Sequence, residues 1–200
     1  MSANGFRVDE LQLEIYAAKE QLGACGESIF AEILSDRGYR NIVFTREFDK
    51  YHPFDIRALG PDDIPYVFFD VCVGSGLPSP HRGGKLDGTV LNINEVSAGR
   101  KLRFIENECH ERKQSRFFIG AIFYGINGGR VRVYELTNRF LHDKMRSRDL
   151  ESEGDLWRIE PGPVMRLRSI AKRLAEAHNE FDQIMNSSQT QMDFLPLCEK

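Results

Sequence analysis

The sequence predicts one α+β (α/β) domain of helices and strands, with a further helix near its C-terminal end. Three observations predict it. A long helical pattern opens the chain, two hairpin patterns follow, and helical patterns separate and close them. With 200 residues, 41% of them apolar, the chain can bury one core.

The first helix spans about Val8 to Arg37. Leu22, Ile29, Phe30, Ile33 and Leu34 recur at three- and four-residue steps, and Gly38 supplies the stop. Gly23 and Gly26 weaken its middle and predict a break into two helices. A strand is expected over Asn41 to Phe48. After His52-Pro53 comes Phe54-Asp55-Ile56-Arg57-Ala58, which alternates apolar and polar. Gly60-Pro61-Asp62-Asp63 is turn chemistry, and beyond it Tyr66 to Val73 is the most strand-like run in the chain. These two runs should pair as an antiparallel hairpin.

Residues 74–89 are rich in Gly, Pro and Ser and predict a long loop. Helical sequence resumes from about Asn94 to Lys113. Arg116 to Tyr124 and Arg130 to Leu136 read as two strands joined through Asn127-Gly128-Gly129, a second hairpin. Short helical turns are expected near Asn138 to Met145. Pro163 then opens a last helix to about Met185, with Val164, Leu167, Ile170, Leu174 and Ala177 on one face. The domain thus covers 1–186, with a core at about 11–136, a helical part at about 138–186, and a tail at 187–200.

Composition narrows the function classes. Charged residues at 28% exclude a low-complexity chain, and no run of about 20 apolar residues exists to span a membrane. The opening residues lack an apolar signal core. Cys25, Cys72, Cys109 and Cys198 have neither zinc-finger spacing nor the density of a disulfide scaffold, so reduced thiols and a cytoplasmic location are expected. The net charge of −3 hides an asymmetry. Residues 1–95 carry 9 Lys/Arg against 15 Asp/Glu, whereas residues 96–173 carry 17 against 10. An acidic half followed by a basic half suits a metal site facing a polyanion, although ordinary surface scatter gives the same tally.

The chemistry concentrates in the first hairpin. Side chains alternate along a strand, so Phe68, Asp70 and Cys72 share one face while Val67, Phe69, Val71 and Val73 share the other. Asp70 is then an acid among apolar neighbours, expensive unless it is paired or bound to a cation. Closing the hairpin at Gly60 to Asp63 brings Asp55 across from Asp70. Two like charges so placed repel, and a divalent ion relieves them. Mg2+ takes carboxylate oxygens, with waters completing its shell. The structural alternative pairs Asp55 with Arg46, Arg57 or another cation. Glu27 borders the apolar face of the first helix, three residues before Phe30 and seven before Leu34, and Gly26 beside it permits close approach to the sheet.

Glu27 on a first helix, the Pro53-Phe54-Asp55 step, and Asp70-Val71-Cys72 in an apolar strand occur in one order. With the order helix, three strands, helix, strand, the chain resembles the PD-(D/E)XK, or restriction-endonuclease-like, nuclease superfamily over about Leu11 to Leu136. The resemblance implies a restriction-endonuclease-like mixed sheet. It implies that Asp55 and Asp70 bind Mg2+, with Mn2+ able to substitute, and that Glu27 assists as an outer ligand. The implied reaction is hydrolysis of DNA phosphodiester bonds, as by a restriction or defence endonuclease. Such enzymes often act as homodimers, and the apolar face of the last helix offers an interface.

Cys72 departs from the pattern, because a lysine is usual two residues after the second acid. That lysine would orient water and balance transition-state charge. Three readings are open: metal-bound water does the work alone, a cation arrives from Lys101, Arg100 or Lys85, or catalysis is lost. The last reading leaves a DNA-binding or protein-interaction subunit on a nuclease scaffold. Lys101 is the favoured substitute, against its plain reading as an exposed helix lysine. Cys72 itself lacks a spaced base and is read as a small core-facing residue. Neither Gly74-Ser75-Gly76 nor Gly83-Gly84-Lys85 meets a nucleotide-loop spacing. Arg82 and Lys85 in the loop, Arg100, and the cluster Arg166, Arg168, Lys172 and Arg173 are the candidate DNA contacts.

Overall fold

The computed structural model describes residues 3–61, 66–74, 90–91, 95–111, 115–125, 129–136, 150–151 and 157–192. Among them, α1 spans Ala3–Asp36, α2 Glu95–Glu111 and α3 Pro161–Met192. The strands are β1 (Arg40–Phe44), β2 (Ile56–Leu59), β3 (Val67–Gly74), β4 (Val90–Leu91), β5 (Arg116–Phe123), β6 (Arg130–Glu135), β7 (Leu150–Glu151) and β8 (Trp157–Arg158). Six strands form one mixed sheet in the order β1-β2-β3-β5-β6-β8, and β4 pairs with β7 apart from it. The architecture is the single α+β domain expected from the sequence.

Both hairpins form. β2 and β3 run antiparallel with Ile56 opposite Phe69, Arg57 opposite Phe68 and Ala58 opposite Val67. β5 and β6 run antiparallel from Phe118 opposite Glu135 to Phe123 opposite Arg130. β3 and β5 are parallel over eight residue pairs, and α2 lies in the connection between them. A parallel pair requires such a crossover because the chain must return to the starting edge.

The alternation in β3 sorts the core into two layers. Val67, Phe69, Val71 and Val73 face α1 and α3, packing with Phe30, Leu34, Ile122, Val164 and Leu167. Phe68 and Cys72 face α2, packing with Leu102, Ile105, Phe117 and Ile119. Gly120 lies under Phe30, where an added Cβ would stand 2.4 Å from the ring. Glycine is the residue that admits this aromatic onto the sheet.

Several elements differ from expectation. α1 does not break at Gly23 or Gly26. Gly26 instead lets the helix press on β3, since a Cβ there would come within 2.2 Å of Val73 Cγ2. The helix stops as expected at Gly38, with φ of 82°, while the Tyr39 N–H donates to Leu34 O at 3.0 Å. The first strand ends at Phe44, not Phe48. Thr45 turns the chain into a single 3-10 turn over Thr45–Glu47, because its N–H bonds Asp55 O and its hydroxyl bonds Phe54 O.

β8 was not anticipated. It extends the β6 edge and brings Trp157 to stack on Phe30 at 6.2 Å. The last helix starts at Pro161 and continues to Met192, through the first part of the expected tail. Its apolar face is covered within the chain. Val164 and Leu167 join the sheet core, and Ala177 packs with Leu11 and Ile15 of α1. These residues of the face offered as an interface are thus buried within the chain itself. The loop at 75–89 and the turns near 138–145 lie outside the described residues. No helix among the described residues is long and apolar enough to cross a membrane.

Candidate active site

The site forms where β2 and β3 diverge. Continuing their register by one residue sets Asp55 opposite Asp70. Asp55 precedes β2, and its backbone is held at both ends: its N–H donates to Phe69 O at 2.8 Å and its carbonyl accepts from Thr45 N–H at 2.9 Å. Its side chain continues the ladder where the strand has ended. Oδ2 accepts the Val71 N–H at 2.8 Å. The other oxygen, Oδ1, accepts from Arg46 Nη2 at 2.9 Å.

Arg46 is presented by the 3-10 turn and reaches two acids at once. Its Nη2 also lies 2.7 Å from Glu27 Oε1. Glu27 is buried at the sheet-facing edge of α1, immediately after the close approach at Gly26. The guanidinium thus ties α1 to the start of β2, a role beyond the pairing with Asp55 that the sequence offers as an alternative. Its side chain is 54% exposed, so one flank stays open to solvent.

Lys101 completes the cluster. It is only 4% exposed, which overturns its reading as an ordinary surface lysine. Its Nζ sits 3.2 Å from Asp70 Oδ2 and 5.7 Å from the centre of the Phe54 ring. A buried ammonium is costly without a compensating carboxylate, and Asp70 provides one. The side chain comes from α2 rather than from β3, so a lysine reaches the second acid from a different element. Cys72 fills the strand position two residues on, its Sγ 3.9 Å from Asp70 Oδ2.

The electrostatics follow from burial and crowding. The Glu27 carboxyl is raised to about 7, first by burial and then by the Asp55 and Asp70 charges, with Arg46 opposing. Burial also raises Asp70, with Lys101 opposing and Asp55 adding. Cys72 is pushed up to about 12, first by burial and then by the Asp70 charge. A thiol so disfavoured as thiolate is a poor nucleophile at neutral pH, in keeping with a packing role.

Glu27 therefore makes stability depend on pH. Its folded value lies above the unfolded one, so its contribution is present at acid pH and is lost as pH rises toward 7. Glu27→Gln, which stays neutral, should gain on the order of 1 kcal/mol over wild type at pH 8 and little at pH 5. Chemical denaturation at the two pH values measures this. An equal effect at both would show that ionisation of Glu27 is not disfavoured in the fold.

Three of the predicted acids and one predicted cation thus converge. The other candidate DNA contacts do not join them. Arg100 is exposed on α2. On α3, Arg168 donates to Tyr124 O, Lys172 pairs with Glu176, and Arg173 donates to Gln21. Arg166 lines a cavity between α1 and α3 beside Cys25. Arg82 and Lys85 lie outside the described residues. Among the described residues, no group of three or more His, Cys, Asp or Glu side chains is arranged to hold a metal ion. Arg46 lies on Glu27 Oε1 and Asp55 Oδ1, and Lys101 lies on Asp70 Oδ2. No known family, curated protein or solved structure matches the chain.

Proposed function

We propose that the chain is a metal-dependent nuclease that hydrolyses DNA phosphodiester bonds, built as in the PD-(D/E)XK superfamily. The observation that carries the reading is buried Lys101 on Asp70, beside Asp55 and Glu27. A lysine next to paired acids is the constellation this chemistry needs, and it is complete despite Cys72.

The acids are of the donor type that Mg2+ takes. Their oxygens are hard carboxylate ligands; burial first, and the neighbouring acids after it, disfavour charge on Glu27 and Asp70, and a divalent ion would offset both. Asp55 and Asp70 would hold the ion once the half-exposed Arg46 swings outward, with Glu27 in support. When bound, Mg2+ supplies positive charge to the phosphate and makes water a better nucleophile. Asp55 is prepositioned by the Val71 N–H. Lys101 orients Asp70 and keeps a positive charge facing the developing negative charge on phosphate.

Arg46 also supports a second reading, a lapsed nuclease fold that binds DNA or a protein. In that case its two ion pairs fill the place of the metal permanently. Plasmid cleavage separates the two. The wild type should nick DNA in Mg2+ or Mn2+ and not in EDTA, and Asp70→Ala should lose about a hundredfold or more. Equal cutting by the variant would remove the site assignment. No cutting, together with no metal-dependent rise in melting temperature, would favour the lapsed fold.

A further inference from the structure

Behind the 3-10 turn that carries Arg46 lies a cavity of about 310 Å3. That is near the lower end of ligand-sized pockets, which run from about 300 to 1,000 Å3. Phe48, His52 and Phe104 form its aromatic walls, and Asp49, Arg57 and Glu108 supply its charges. The His52 ring meets Phe104 edge to face at 4.6 Å. Phe48 is 77% exposed, an aromatic ring free to cover a flat guest.

Two observations identify the guest's chemistry. Glu108 Oε2 is buried and meets no hydrogen-bond partner among the described residues. A buried acceptor without a donor is destabilising, and a ligand offering N–H groups relieves it. Asp49 adds a second carboxylate, so the cavity disfavours a phosphate and favours a flat ring with donors along its edge. Lys101, Phe104 and Glu108 are also three and seven residues apart and share one stripe of α2. The stripe leads from Asp70 to the cavity over about 10 Å of helix axis.

We propose that this cavity receives an unpaired guanine base beside the phosphate to be cut. The inference rests on nucleic acid being the substrate. Guanine presents N1–H and N2–H side by side to one carboxylate, here Glu108, and its O6 and N7 accept from an arginine, here Arg57. Its two rings stack between aromatic side chains. In a duplex the N1–H is already paired, so the base must come from a single strand or be turned out of the helix.

Binding in EDTA tests this without requiring catalysis. By fluorescence anisotropy, an oligothymidylate with one central guanine should bind wild type about tenfold more tightly than all-thymine. Inosine, which lacks the N2 amino group, should lose most of that preference. Glu108→Gln should bind guanine and thymine oligonucleotides alike. If that variant fails to fold, the inosine comparison on wild type still decides. Equal binding of all three oligonucleotides, no binding at all, or a preference unchanged in Glu108→Gln would overturn the proposal. Guanine preference without Mg2+-dependent cleavage would keep the pocket and remove the hydrolase. Cleavage without guanine preference would do the reverse.

Discussion

Lys101→Met is expected to lower stability by about 3 kcal/mol at pH 8 and by clearly less at pH 5. The reason lies in what the substitution leaves behind. Methionine fits the apolar surroundings of the lysine stem, but Asp70, with 20% of its side chain exposed, loses the charge at 3.2 Å that opposes its desolvation. Its carboxyl, already raised, rises further. A raised carboxyl contributes stability below its unfolded value that is lost as pH increases, so the deficit grows toward alkaline pH. Adding Asp70→Asn should restore most of the loss, since removing both members of a buried pair costs far less than removing one. Denaturant unfolding at both pH values, with both variants, measures the effect. A pH-independent deficit would mean that the lysine stem and not its charge matters. Cleavage should fall in the single and double variants alike, because neither keeps the cation beside the phosphate.

Asp55 should separate stability from chemistry. Asp55→Asn keeps an oxygen that can accept the Val71 N–H at the 2.8 Å position, so the junction of β2 and β3 survives. It loses the negative charge that faces Arg46 and that a metal needs. We expect its melting temperature to stay close to wild type while cleavage falls by about a thousandfold. Asp55→Ala removes the acceptor as well and should cost a further 1–3 kcal/mol or so, the order expected for a buried donor left unpaired. Thermal melting and plasmid nicking of the two variants test this directly. Asp55→Asn that still cuts at the wild-type rate would show that Asp55 is a structural acid, holding Arg46 and the strand end and nothing more.

Much of this arrangement was legible in the residue order. The alternation of β3 placed Phe68, Asp70 and Cys72 on one face, and the packing of Phe68 and Cys72 against α2 agrees with it. Turn chemistry over 60–63 predicts the hairpin, and the pairing of β2 with β3 sets Asp55 opposite Asp70. Glu27 was placed at the edge of a packing face, with Gly26 allowing close approach, and the contact with Val73 shows why. Lys101 was chosen as the stand-in for the missing lysine, though its deep burial was not visible from helix spacing. Other features escaped. The strand expected through Phe48 ends at Phe44 because Thr45 binds the backbone of Phe54 and Asp55, nine and ten residues away in sequence and adjacent only in space. The exposed ring of Phe48 and the cavity behind it follow from that same turn.

The sequence by itself determined the two hairpins, the three helices apart from their ends and the unbroken course of α1, and the side of the sheet each β3 residue faces. These depend on periodicity and turn chemistry, which act over a few residues. Only the tertiary structure decided that Arg46 would join Glu27 to Asp55, and that Lys101 would meet Asp70 from another element. Those pairings depend on which distant segments share a desolvated space. There an unpaired charge is so costly that the fold must supply its partner, whatever the separation along the chain.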